Sequence, residues 1–151
     1  MSTFTLKEIK IAGAKHKFYS LVKDNVNFYD QFLDEVKENF HIPLDEELRL
    51  ENDDDELSEL EALIEDIALG NPVLPKCYKK MPSISKQINY TAHEIRTKKS
   101  MLRIYCIKER NTGKIIVLGH IKGNSKDQDR KLKIFKKRVN EYHNFKLKNK
   151  K

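Results

Sequence analysis

Apolar positions change period several times along the 151-residue chain, and each change marks an expected element. Thr3 to Ile11 ("TFTLKEIKI") alternates, with β-branched and aromatic content, and predicts an opening strand that Gly13 ends. "KHKFYSLVKD" (15–24) then reads as a short helix. In "NFYDQFLDEVKENF" (27–40), Phe28, Phe32, Val36 and Phe40 recur every four residues and predict an amphipathic helix. Asn27 is its N-cap, Asp30 complements the dipole in the first turn, and Pro43 stops it. A second helix is expected over "LSELEALIEDIAL" (57–69), with Leu57, Leu60, Ile64 and Ile67 on one face. Gly70 and then Pro72 mark its end. Residues 71–91 hold three prolines and no sustained period, and read as an irregular, basic connection.

"MLRIYCIKE" and "KIIVLGHIK" flank "RNTG", a four-residue loop of turn formers, and predict a β-hairpin. Pairing Glu109 with Lys114 sets Leu102, Ile104 and Cys106 against Ile121, Gly119 and Val117 on one apolar face. The other face sets Met101, Arg103, Tyr105 and Ile107 against Lys122, His120, Leu118 and Ile116. That second face grades from apolar near the turn to basic at the far end. Arg103 and His120 become cross-strand neighbours.

"SKDQ" opens the last element, a helix capped by Ser125 with Gln128 at N3. Leu132, Phe135, Val139 and Tyr142 form its core stripe, and Arg130, Lys131, Lys133, Lys136, Lys137 and Arg138 occupy the other faces. The order strand, helices, strands, helix predicts one α+β domain over residues 1–145, its helices segregated against a small antiparallel (mixed) sheet. Residues 146–151 ("KLKNKK") read as a basic, disordered tail.

Charge adds a polarity that periodicity does not show. Residues 1–70 hold 7 Lys and Arg against 18 Asp and Glu, whereas residues 71–151 hold 23 against 5. The basic half calls for a polyanion partner, unless the acidic half folds back and neutralises it. Asp53 to Glu56 lack the glycine spacing of a calcium loop and read as a solvated, acidic helix start. The five histidines, His16, His41, His93, His120 and His143, show no ligand spacing, so no metal is expected. Cys77 and Cys106 lie far apart, which fits a reducing, cytoplasmic setting. No apolar run reaches the roughly 20 residues of a membrane span, and the N-terminus has no signal-peptide core.

Three strings in order carry a family resemblance: "HEIRTKKSMLRIYCI", "IIVLGHIKG" and "NSKDQD" before a basic helix. Together they resemble the RelE/ParE superfamily of bacterial toxins, in its RelE/HigB-like branch, over most of residues 57–142. The resemblance implies a small sheet with N-terminal helices on one face and a groove on the other. It implies a ribosome-dependent endonuclease that cuts mRNA without metal or small-molecule cofactor, and a cognate antitoxin that neutralises it. ParE-like members instead poison DNA gyrase, which is the first alternative. A non-enzymatic nucleic-acid- or protein-binding module is the second.

Residue by residue, Arg103 matches the strand arginine that contacts the scissile phosphate in RelE-like members. Lys122 and Lys126 match basic positions after the last strand, and Arg96 matches an arginine of the preceding strand. Tyr142 loosely resembles a C-terminal tyrosine of some members, although its place in the core stripe competes. His120 departs from the pattern, since many relatives carry an aromatic residue there. Metal-free cleavage needs a base at the 2′-hydroxyl, cations around the phosphorane and an acid for the leaving oxygen. Arg103 suits the cationic role, His120 proton transfer, and Lys122 further charge. Lys98, Lys99, Lys126 and Arg130 extend the phosphate-binding set, Lys126 beside a helix N-terminus that favours anions. The ordinary alternatives are a snorkelling strand arginine, a structural histidine and solvated lysines.

Overall fold

Phe4–Ile9 (β1) and Phe18–Lys23 (β2) pair antiparallel, so the helix expected over 15–24 is a strand instead. The structure is a computed structural model that describes residues 2–39, 56–99, 102–122 and 125–149. β2 lies inside the sheet and is buried on both faces, Phe18 in one core and Leu21 in the other. Its sequence therefore lacks the one-sided polarity by which a strand is recognised. Asp24 and Asn25 carry φ of 48° and 68°, the paired left-handed values of a hairpin turn, and lead into the two-residue β3 (Val26–Asn27).

Phe28–Asn39 (α1) follows, capped as expected: the Asp30 N–H donates to Asn27 Oδ1 at 3.0 Å. Glu56–Leu69 (α2) buries Leu57, Leu60, Ile64 and Ile67. It closes on Gly70 at φ 80°, with the Asn71 N–H bonded to Asp66 O and the Gly70 N–H to Ile67 O, which is a Schellman motif. The basic connection contains a 3-10 turn (Pro75–Cys77), a short strand β4 (Tyr78–Lys80) and one helical turn, α3 (Pro82–Ser85). β5 (Thr91–Arg96), β6 (Leu102–Glu109) and β7 (Gly113–Ile121) precede α4 (Ser125–Lys148), which runs into the segment read as a tail. Phe40, Pro43, the acidic residues 45–55, Met101 and the Ser125 side chain of the expected capping box lie outside the described residues.

Strand order is β1-β2-β7-β6-β5-β4, with β3 on β2; β2 and β7 run parallel and the other pairs antiparallel. The fold is α+β with a mixed sheet of seven strands among the described residues. The RelE-like arrangement, with N-terminal helices on one face and a groove on the other, does not hold. The first helix comes only after β1 and β2, and both sheet faces are covered. Phe32 and Val36 of α1 and Leu60 and Ile64 of α2 meet Ile95, Ile104, Cys106 and Ile116 in one core. Phe135, Val139 and Tyr142 of α4 meet Tyr105, Ile107, Ile115 and Val117 in the other.

The β6–β7 register is as expected at the far end, where Leu102 faces Ile121, Arg103 faces His120 and Tyr105 faces Leu118. Beyond Tyr105 it slips by one, so that Cys106 faces Ile116 and Glu109 faces Gly113 rather than Lys114. Val117 is the extra residue, a β-bulge that moves it to the α4 face and brings Ile116 to the other. Arg138 Nη1 donates to the Val117 carbonyl at 3.1 Å, and its guanidinium lies 3.7 Å above the Phe28 ring. On the opposite face Phe32 occupies the space above Gly119 that any Cβ would need.

Candidate phosphate site beneath the C-terminal helix

Both faces of a strand pair are set by alternation, so Glu94, Arg96, Arg103, Tyr105 and His120 all face α4 at one end of the sheet. Arg103 stands between two basic neighbours, Arg96 on β5 and His120 on β7. Like charges placed directly opposite repel, and one carboxylate offsets this. Glu94 lies 3.5 Å from Arg96 Nε and 4.0 Å from Arg103 Nη1. Arg96 Nε also donates to Lys76 O at 2.9 Å, which ties β5 to the 3-10 turn.

The cluster is buried, not a solvated wall of a groove: Arg103 is 8% exposed and His120 2%. Yet Arg103 Nε and both His120 ring nitrogens find no hydrogen-bond partner among the described residues. Each such group is unfavourable by about 1 to 3 kcal/mol relative to hydration. Three in one place are a costly arrangement for a fold that needs only packing there. Burial first, then Lys131 and Arg103, hold the His120 pKa below its usual value, so the imidazole is neutral near pH 7. Burial first, then Glu94, raises the Tyr105 hydroxyl, which Arg103 and Gln128 act to lower; it keeps its proton.

The other expected residues divide. Lys98, Lys99, Lys122, Lys126 and Arg130 are exposed at this same end of the molecule and make a basic rim. The Lys98 backbone N–H donates to Glu59 Oε2 at 2.6 Å and pins the β5–β6 turn to α2. Arg130 Nη2 pairs with Asp127 Oδ1 at 2.8 Å within α4. Tyr142 is elsewhere: its hydroxyl donates to Glu109 Oε2 at 2.8 Å, beside the β6–β7 turn. Glu109 stands six residues along β6 from Arg103, roughly 20 Å away. Lys146 Nζ (2.6 Å) and Thr112 Oγ1 (2.8 Å) also donate to Glu109. Tyr142 thus belongs to the fastening of α4, as its place in the core stripe suggested.

Glu94 and Tyr105 complete the cluster although neither was singled out from sequence. Their signal was the two-residue period itself: Glu94 and Arg96 share a face of β5, as Arg103 and Tyr105 share one of β6. Among the described residues no three His, Cys, Asp or Glu side chains converge as a metal site requires. No helix among them is long and apolar enough to cross a membrane. No family model, curated protein or solved structure matches the chain.

Proposed function

We propose that the chain is a cytoplasmic endoribonuclease that cuts mRNA on the ribosome without metal, the toxin of a bacterial type II toxin–antitoxin pair. The observation that carries this reading is the Arg103–His120 pair, with its donors and acceptors unpaired beneath a basic helix. Kinship with RelE/ParE toxins rests on the strings quoted above.

In this mechanism the Arg103 guanidinium holds the scissile phosphate and stabilises the extra charge of the phosphorane. Neutral His120 accepts the 2′-hydroxyl proton as the 2′-oxygen attacks phosphorus. The bond to the 5′-oxygen breaks and that oxygen takes a proton, for which the protonated Tyr105 is the nearest suited acid on this face. The products are a 2′,3′-cyclic phosphate and a 5′-hydroxyl. Lys122, Lys126, Lys98 and Lys99 hold flanking phosphates. Access requires the first turns of α4, which carry Gln128 and Lys131, to move off the sheet. The C-terminal half of α4 stays fastened by Arg138 to Val117, by Glu109 to Tyr142 and Lys146, and by Tyr90 to His143 at 3.0 Å.

The burial of Arg103 and His120 favours a second reading, a non-enzymatic binder that uses only the exposed basic side of α4. Translating ribosomes loaded with a defined mRNA separate the two. Cleavage by the wild type and none by Arg103→Met supports the nuclease, whereas binding without new RNA ends supports the module.

A further inference from the structure

A second pair of opposed like charges lies at the other end and on the other face of the sheet. Lys108 on β6 faces Lys114 on β7, with His93 and Lys80 on the adjoining strands, and alternation turns all four toward the α1–α2 side. Unlike Arg96 and Arg103, they have no Glu94 between them. Among the described residues, the groups whose charges act on His93 are Lys114, Lys80 and Lys108, all basic. The nearest carboxylate in sequence, Glu109, points to the opposite face and is occupied by Tyr142, Lys146 and Thr112.

Lys114 is the buried member, 8% exposed. Its amine lies between two rings, 5.9 Å from the Phe18 centroid and 5.8 Å from that of Tyr78. The Tyr78 ring in turn stacks on His93 at 5.0 Å, and His93 Nδ1 is buried without a hydrogen-bond partner. Lys114 also lines two adjoining cavities. One, of about 210 Å³, is walled by His16, Ile67, Val73 and Tyr78. The other, about 510 Å³ and open to solvent, adds Lys15, Lys17, Lys108 and Arg110, with Glu109, held by its own three donors, also at its edge. Among the described residues no carboxylate pairs with the Lys114 amine, and ring faces offset only part of the cost of burying a charged side chain. An arriving anion supplies the remainder.

We infer that Lys114, with His16 and Lys108, forms an anion pocket for a phosphate ester, backed by the Tyr78–His93 stack and distinct from the Arg103 cluster. The number of converging cations suits a multiply charged group, and the wider cavity lined by Lys15, Lys17 and Arg110 suits the flanking part of its carrier. That carrier is either a free nucleotide or the end of an RNA strand. The pocket is independent of the proposed nuclease chemistry and survives if that reading fails.

The test titrates the full chain by proton–nitrogen and histidine-ring NMR with inorganic phosphate, adenosine 5′-monophosphate, a 5′-phosphorylated RNA decamer and a glutamate decamer. The phosphate esters are expected to move the His93 and His16 ring signals. Lys114→Met, which keeps the apolar stem between the rings, weakens binding of adenosine 5′-monophosphate about tenfold or more; the exposed Lys133→Met does not. His16→Gln, at the rim, gives a smaller loss and serves if Lys114→Met does not fold. Equal binding of the monophosphate and the decamer identifies a free nucleotide, and tighter binding of the decamer identifies a strand. The inference is overturned by unmoved His93 and His16 signals, by variants that bind within about twofold of wild type, by an equal loss in Lys133→Met, or by a glutamate decamer that binds as well as RNA.

Discussion

Arg103 and His120 stand directly opposite each other on β6 and β7, both buried, yet three of their ring and guanidinium nitrogens have no hydrogen-bond partner among the described residues. Two basic groups in that position lower stability, and such an arrangement persists where function requires it. His120→Leu is therefore expected to raise stability by about 1 kcal/mol, because it removes two unpaired nitrogens and fills the same space. Growth arrest on expression should be lost in the same variant. Thermal melting and a plate assay read both, and a less stable variant would show that His120 is structural.

Glu109 fastens the C-terminal half of α4 by accepting from Tyr142, Lys146 and Thr112. Glu109→Ala strands the buried Tyr142 hydroxyl and is expected to cost about 2 kcal/mol. Burial alone would raise the Glu109 pKa, but the Lys146, Thr112 and Tyr142 hydrogen bonds outweigh it and lower the pKa below 4.5. The stabilisation is thus complete above about 4.5 and fades as pH falls through the lower folded value. Urea denaturation of wild type and variant should differ at pH 7, and the difference should shrink as pH falls below 4.5.

His93 works with the opposite chemistry in the same pH direction. Burial first, then Lys114, Lys80 and Lys108, lower its pKa from 6.5 to about 4, so the folded state resists its protonation. Between these values the unfolded chain binds more protons, and stability falls as pH drops from 6.5 to 4. The loss attributable to this one group is at most about 3 kcal/mol. His93→Phe keeps the stack on Tyr78 and removes the titration. Its stability should change less than that of wild type across this window, and parallel curves would contradict the assignment.

Gly119 and Phe32 fix how α1 seats on the sheet. Gly119→Ala drives a methyl into the Phe32 ring and is expected to cost about 2 to 3 kcal/mol. In a Phe32→Ala background, which is itself destabilised, Gly119→Ala should cost clearly less. A double-mutant cycle with no coupling would mean that the helix shifts freely.

The readable parts of this protein were those in which one face differs from the other. The α2 stripe, the Asn27 cap and the Arg103–His120 register all have such a contrast. β2 does not, because neighbours bury both its faces, and "KHKFYSLVKD" therefore mimics a helix. The Val117 bulge left no mark in the pattern, since Ile116 and Val117 are interchangeable in polarity. The covering of the second face was also hidden. The α4 stripe of Phe135, Val139 and Tyr142 was plain, but its partner is set by which face α1 and α2 take, a matter of long-range packing. A buried arginine and histidine therefore read as a solvated wall.

The central claim is that Arg103 and His120 act on RNA. A transcriptome-wide map of new 5′ ends after brief expression of wild type and Arg103→Met tests it most directly, with circular dichroism confirming that the variant is folded. New 5′-hydroxyl ends at fixed codon positions are expected in the wild type and none in the variant. Intact transcripts in both, broken DNA in place of RNA, or the same ends from Arg103→Met would contradict it.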